Sequence, residues 1–222
     1  AIVKKKRSSF RFMNDILLFM LQKMKDRFFG GFHAALGEAV CGAGRDHPNF
    51  LCLTYGTGVG GAIIENRQVY HGSSFSAAEF GAIVTHSGEK RTQPDYYDGC
   101  YERYASTTAL VQAAMAYDPS LDNGRKIFAR LDDPNVMQIL DRWVDEIMLG
   151  LSSLTHIFNP ACIVLGGGIT SWPELLPELK AHIDHLVTWR DGVLTPNVRL
   201  CTHRNDANIL GAVYHLKLRY GL

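Results

Sequence analysis

The 222-residue chain has almost no net charge, no membrane-length apolar run and no paired cysteine motif. Lys and Arg number 23 against 22 Asp and Glu, a formal charge of +1. That balance supplies no electrostatic footprint for nucleic acid or an anionic membrane surface. A membrane helix needs about 20 consecutive apolar residues, and no segment approaches this. The five cysteines, Cys41, Cys52, Cys100, Cys162 and Cys201, are scattered without C-x-x-C spacing. An odd, unpatterned set in a chain of this length points to reduced thiols and a cytoplasmic setting. The basic run Lys4 to Arg7 precedes neither an apolar core nor a cleavage site, so it reads as solvated charge rather than a signal peptide. Internal repeats, low-complexity tracts and a helix-turn-helix module are also missing. What is present is an ordinary globular composition, 46% hydrophobic, long enough for one large domain or two small ones.

The densest chemical signal is residues 51–66. An apolar run, Leu51 to Tyr55, meets the bend Gly56-Thr57-Gly58 and continues as Val59-Gly60-Gly61-Ala62-Ile63-Ile64. Glycines in such a bend let backbone N–H groups approach an anion, because no Cβ intervenes. Gly56, Gly58 and Gly61 also satisfy G-x-G-x-x-G, but the dinucleotide motif requires a helix after the turn. Here a polar turn at Glu65-Asn66-Arg67 and a second apolar run follow, which is a hairpin pattern. The reading is a hairpin phosphate cradle centred on Gly56, Thr57, Gly58 and Gly60, with an NAD-dependent enzyme as a disfavoured rival.

Along the rest of the chain the periodicity predicts helices over 32–43, 101–117, 123–131, from Pro134 to Asn159, 173–187 and 207–219. It predicts strands over 50–55, 61–64, 68–70, 81–85 and 198–202, with a polar loop over 86–100. Ala161 to Leu165 is an unbroken apolar run ending in Gly166-Gly167-Gly168, the pattern of a buried central strand whose carboxyl end meets a ligand. Residues 1–31 read differently. Ile16, Leu17, Met20, Leu21 and Met24 recur at helical spacing behind a cap at Ser9 or Asn14, yet no strands precede them. They are taken as a remnant of an N-terminal lobe, with 32–222 forming a C-terminal lobe.

Six stretches stand in a fixed order: His33 to Glu38, Leu53 to Gly61, Ala78-Glu79-Phe80-Gly81, Gly99 to Ser106, Ile163 to Gly168 and Asn205 to Ala212. Together they resemble the ROK family of sugar kinases within the actin/hexokinase/Hsp70 superfamily. The resemblance implies an α/β, ribonuclease-H-like (actin-like ATPase) fold and ATP-dependent phosphorylation of a hexose or glucoside hydroxyl, with Mg²⁺ as cofactor and a homodimer as the common assembly. It implies that Glu79 and Glu102 bind sugar hydroxyls. The Gly56–Gly61 bend then faces the ATP phosphates, and Gly166, Gly167 and Gly168 form the adenosine-side turn. Carboxylates accept hydrogen bonds from vicinal hydroxyls, and phosphoryl transfer depends chiefly on placement and charge neutralisation. The rival from another class is a non-catalytic sugar-sensing regulator or binding protein of the same fold.

The departures from the family are equally specific. Its Asp-x-Gly-Gly-Thr phosphate turn is missing, and where it carries Glu-Asn-Asp, whose Asp is the general base, this sequence reads Phe28 to Phe32. The general base is therefore unassigned, and Asn14-Asp15 reads as a helix cap. The family's zinc motif is also gone. Gln93 and Asp95 stand at two cysteine places and Ala82 at the histidine place, leaving Cys100 alone. One thiolate does not make a tetrahedral zinc site, so no structural zinc is expected, and a β-glucoside kinase type comes to mind. That histidine also implies a sugar contact, and His86 and Tyr96 are the candidates to fill the gap. Bland readings stand beside these: Glu79 as a solvated carboxylate, Glu102 as a favourable charge at a helix start, His182 and His185 as an exposed helix face, and Cys52 and Cys162 as inert core thiols.

Overall fold

The computed structural model describes residues 30–92, 95–187, 195–203 and 206–220. The remnant assigned to 1–31, including the caps at Ser9 and Asn14, lies almost wholly outside them.

A helix α1 (Gly30–Cys41) leads into strands β1 (Phe50–Tyr55), β2 (Val59–Glu65) and β3 (Gln68–Val69). Helices α2 (Ser87–Thr92), α3 (Glu102–Ala105), α4 (Thr107–Tyr117), α5 (Gly124–Phe128) and α6 (Pro134–Phe158) follow. Then come β4 (Ile163–Gly167), α7 (Leu175–Val187), β5 (Val198–Leu200) and α8 (Asp206–Tyr220). The sheet order is β3-β2-β1-β4-β5, with β1, β4 and β5 parallel and β2 and β3 antiparallel. This is the ribonuclease-H-like arrangement that the resemblance implies.

Both faces of the sheet are covered, which explains why the central strands read as continuous apolar runs. Leu51, Leu53, Tyr55, Ile163 and Leu165 point into a core built with α4, α6 and α7. Their neighbours Phe50, Cys52, Cys162 and Val164 point the other way, toward Ala35 and Ala39 of α1. The two cysteines are buried, and the Cys52 thiol is held protonated, first by its hydrogen bond with Cys201 and then by burial.

α6 is the spine of the larger core. Asp133 caps it by accepting from Asn135 N–H, Pro134 occupies its first turn, and Asn159 ends it in the left-handed region at φ 41°. Its buried stripe, Val136, Leu140, Trp143, Val144, Ile147, Leu151 and Leu154, follows helical spacing. In its N-terminal half, Asp141 and Asp145 are reached by His182 of α7 at 3.5 and 3.3 Å.

Three expectations fail. The strand at 81–85 is instead a 3-10 turn, Phe80–Ala82, with only an isolated bridge between Val84 and Cys100. The loop over 86–100 contains α2. The helix over 101–117 is broken at Ser106, whose hydroxyl accepts from Ala109 N–H and starts α4 afresh. The indole of Trp143 secures that break by donating to the carbonyls of Ala105 and Ser106, both at 3.1 Å.

Gly150, in the middle of α6, is explained by Tyr101. A Cβ at Gly150 would run into the Tyr101 ring. In an open helix, Gly→Ala gains about 1 kcal/mol. Here the ring has no room to move, so Gly150→Ala is expected to destabilise the protein by about 1–3 kcal/mol, read as a lower denaturant midpoint at unchanged slope.

Candidate functional site

The parallel strands β1 and β4 run side by side, with Tyr55 opposite Gly167 and Thr54 opposite Gly166. Their carboxyl ends therefore present two glycine turns together, the usual place for a ligand in an open α/β sheet. From β1 the chain turns through Gly56, Thr57 and Gly58 into β2, closed by Gly56 N–H donating to the Gly58 carbonyl at 2.9 Å. Thr57 is exposed at the tip, and a Cβ on Gly56 would meet nothing within 4 Å, so this side of the bend is open. Gly60 lies one pair into the hairpin, opposite Thr54. From β4, Gly167 takes φ +94° with its backbone against the Tyr55 carbonyl, a combination that excludes other residues. Gly168 opens a 3-10 turn toward free space.

The two candidate carboxylates arrive from different directions. Glu79 is aimed by its backbone. Ala78 sits in the left-handed region at φ 68°, and Phe80 N–H donates back to the Ala78 carbonyl at 2.8 Å. With φ −72° and ψ 61°, Glu79 is the centre of an inverse γ-turn. A non-glycine residue with positive φ beside a candidate ligand group is strain of the kind found at functional sites. Glu102 begins α3 and is half-buried. Its Oε2 accepts from Val59 N–H at 3.4 Å, and Cβ atoms on Gly58 or Gly81 would strike the same carboxylate. The hairpin glycine Gly58 is thus required by the close approach of Glu102.

The structure brings Glu79 and Glu102 together. The Glu79 carboxyl is raised from its ordinary value, first by burial and then by the negative charge of Glu102. Tyr101, next to Glu102, is fully buried. Its hydroxyl donates to the Ile147 carbonyl at 2.9 Å and stands 2.7 Å from the Tyr55 hydroxyl. With the Tyr101 proton given to Ile147, Tyr55 is the donor between them, and burial pushes both phenols upward. Tyr55 immediately precedes the glycine bend, so this pair ties the bend to Glu102.

Of the side chains offered for the missing histidine, His86 has partners of its own and Tyr96 is largely exposed. His86 stacks on Tyr104 with ring centroids 3.7 Å apart and faces Glu146 at 3.4 Å. Tyr104 in turn donates to Glu89, and burial followed by that bond pushes its phenol up to about 12. Tyr96 is 71% exposed. Tyr97 feels the negative charges of both carboxylates. Its phenol is raised by burial, then by Glu102 and Glu79. Sequence reasoning passed over it, and only its place three residues before a family-matched Cys100 would have drawn attention to it.

Asp95 and Cys100 do not supply the zinc donor set that the resemblance implies for other members. Asp95 is engaged by Arg103 at 2.7 Å and by Tyr97 N–H at 2.8 Å, and the Cys100 thiol donates to the Tyr96 carbonyl at 3.6 Å. Among the described residues no group of three His, Cys, Asp or Glu has metal-binding geometry. No helix among them is long and apolar enough to cross a membrane.

Glu79→Gln removes one of two facing charges. It is expected to leave melting temperature unchanged or raised, checked by thermal unfolding. The raised carboxyl fixes the pH sign. As pH falls through its folded-state pKa, stability rises because the cost of burying the charge and its repulsion by Glu102 are both relieved.

Residues 32–218 match the ROK family. Over 189 residues the chain is 36% identical to a β-glucoside kinase of Listeria innocua, covering 82% of this chain and 61% of that protein. It is 31% identical over 204 residues to a glucokinase of Thermotoga maritima, covering 84% and 63%. Among solved structures, a ROK family protein from Streptococcus pneumoniae in complex with sucrose superposes with a TM-score of 0.76 at 25% identity, covering 86% of this chain and 65% of that one. A ROK family glucokinase from Streptomyces griseus, in complex with glucose and AMPPNP, gives 0.68 at 29%, covering 82% and 65%. The chain spans about three-fifths of the length of the curated relatives it matches. With the ordered motifs, the sheet topology and a match over most of its length, the chain belongs to the ROK family.

Proposed function

We propose that this protein phosphorylates a sugar hydroxyl with ATP. One observation carries the proposal. The Glu79/Glu102 pair and the Gly56–Gly58 bend share a wall, because Glu102 rests directly on Gly58 and Val59. A sugar held by the carboxylates therefore lies beside a backbone cradle suited to phosphate oxygens. The names of the relatives, β-glucoside kinase and glucokinase, and the glucose and AMPPNP bound by the S. griseus protein support the same reading.

In this reading Glu79 and Glu102 accept hydrogen bonds from vicinal hydroxyls and fix the ring. The Gly56, Thr57, Gly58 and Gly60 segment faces the phosphates, and Gly166, Gly167 and Gly168 face the adenosine. The sugar oxygen bonds to the γ-phosphorus as the bond to the bridging oxygen breaks, ADP leaves, and the hydroxyl proton passes to a carboxylate base not assigned in this sequence. Mg²⁺ accompanies the nucleotide and neutralises phosphate charge. A homodimer and a cytoplasmic setting belong to the same proposal, the latter in keeping with five free thiols.

The test is ADP release from ATP, Mg²⁺ and a panel of hexoses and β-glucosides. Turnover with at least one sugar is expected, with Gly58→Ala lowering kcat/KM at least a hundredfold by displacing Glu102. Tight sugar binding without ADP release by the full-length protein would select the sensor reading instead.

A further inference from the structure

The first residues of α4 lie against the glycine bend, and two hydrogen bonds join them. The Thr107 hydroxyl donates to the Tyr55 carbonyl, and Thr108 N–H donates to the Gly56 carbonyl, both at 3.3 Å. These carbonyls belong to the two peptide groups that flank Gly56. Glycine restrains neither of its own dihedrals, so both planes need an outside tie. In a trans peptide the carbonyl and the following N–H point in opposite directions. The Gly56 N–H, opposed to the Tyr55 carbonyl, is taken up by the Gly58 carbonyl at 2.9 Å. With the Gly56 carbonyl drawn toward α4, the Thr57 N–H points away from that helix, at the exposed tip of the bend. The opposite rotation would turn a carbonyl oxygen toward an incoming anion. The start of α4 is itself fixed, by the Ser106 cap on Ala109 N–H at 3.1 Å and by the Trp143 bonds to Ala105 and Ser106. One short segment, 102–108, therefore reaches the bend twice, with Glu102 against Gly58 and Val59 and with Thr107 and Thr108 against Tyr55 and Gly56.

We propose that Thr107 is a positioning residue for the nucleotide phosphates. Its hydroxyl holds the Tyr55–Gly56 peptide plane, the Thr108 N–H holds the next one, and together they keep the Thr57 N–H turned outward for a phosphate oxygen. Thr107 acts through the bend and touches no ligand. The inference rests on the reading of Gly56 to Gly60 as a phosphate cradle. Its physical basis is preorganisation: a donor already aimed at the anion costs no reorganisation when the anion arrives. The Thr107 hydroxyl is the one side-chain member of the pair, so it is the member a substitution can remove. Without it the Tyr55 carbonyl loses its partner, and the plane beside Gly56 is released to rotate.

Calorimetric titration of the full-length protein with AMPPNP and Mg²⁺, and separately with adenosine, tests this. Thr107→Val keeps the shape of the side chain and removes the donor. It is expected to weaken AMPPNP about three- to tenfold and to leave adenosine, which has no phosphate, within about twofold of wild type. Thr107→Ser, which keeps the hydroxyl, is expected to stay within about twofold of wild type for both ligands. Gly56→Ala serves as the control for the cradle, because its added methyl meets nothing within 4 Å in the fold and stands in the open flank of the bend. It is expected to weaken AMPPNP by about tenfold or more. If Thr107→Val binds AMPPNP as wild type while Gly56→Ala does not, or if Thr107→Val weakens AMPPNP and adenosine alike, the inference fails and the cradle stands. If Gly56→Ala also binds AMPPNP as wild type, or wild type does not bind it, the cradle reading fails and this inference falls with it.

Discussion

The buried contact between the Tyr55 and Tyr101 hydroxyls holds the candidate site together. One phenol ends the strand that opens into the glycine bend, and the other immediately precedes Glu102. Their bond is completed by the Ile147 carbonyl of α6, so every polar atom of the pair is used. In a water-free setting such a bond is electrostatically strong, and leaving either partner unsatisfied is expensive. The helix accommodates it by having no side chain at Gly150. Packing in the core and geometry at the surface are thereby the same constraint.

The opposite face of the sheet has its own fixed point. Glu38 of α1 is fully buried, and its carboxylate accepts from Ala43 N–H at 2.7 Å, His203 N–H at 3.0 Å and Thr202 N–H at 3.1 Å. A buried carboxylate is tolerable when backbone donors replace its lost hydration. Here they also fasten the segment after β5 to α1, beside Cys201, whose sulfur lies over Gly166. The Gly166–Gly168 turn is thus backed by a hydrogen-bonded charge. Three glycines of β4 and its turn are needed there for different reasons: clearance for a sulfur at Gly166, a left-handed backbone at Gly167 and an open flank at Gly168.

Much of this was legible in the chain. The hairpin, the buried β4 and the amphipathic α6 with its Asp133-Pro134 start follow from period and capping chemistry, which act locally. The segment from Ala78 to Cys100 was not, because a left-handed alanine, an inverse γ-turn and a one-turn 3-10 element leave no periodic trace. Ser106 is the instructive miss. A serine ahead of Thr107-Thr108-Ala109 is a capping signal, but the apolar pattern on either side suggested one helix. At the site, Glu79 and Glu102 were picked out by motif, while their mutual repulsion, the contact of Glu102 with Gly58 and the position of Tyr97 are tertiary facts. The same holds for His86, one of two candidates for the missing histidine's place, whose partners Tyr104 and Glu146 only the fold reveals.

A mechanical consequence follows from α6. This one 25-residue rod touches Ser106 through Trp143, His86 through Glu146, and Tyr101 through Ile147 and Gly150. Glu102 and the Gly56–Gly58 bend are therefore bolted to a common girder. Any rigid-body movement of this part of the fold carries them as one block. Their separation works as a built-in gauge, set by the core rather than by either loop.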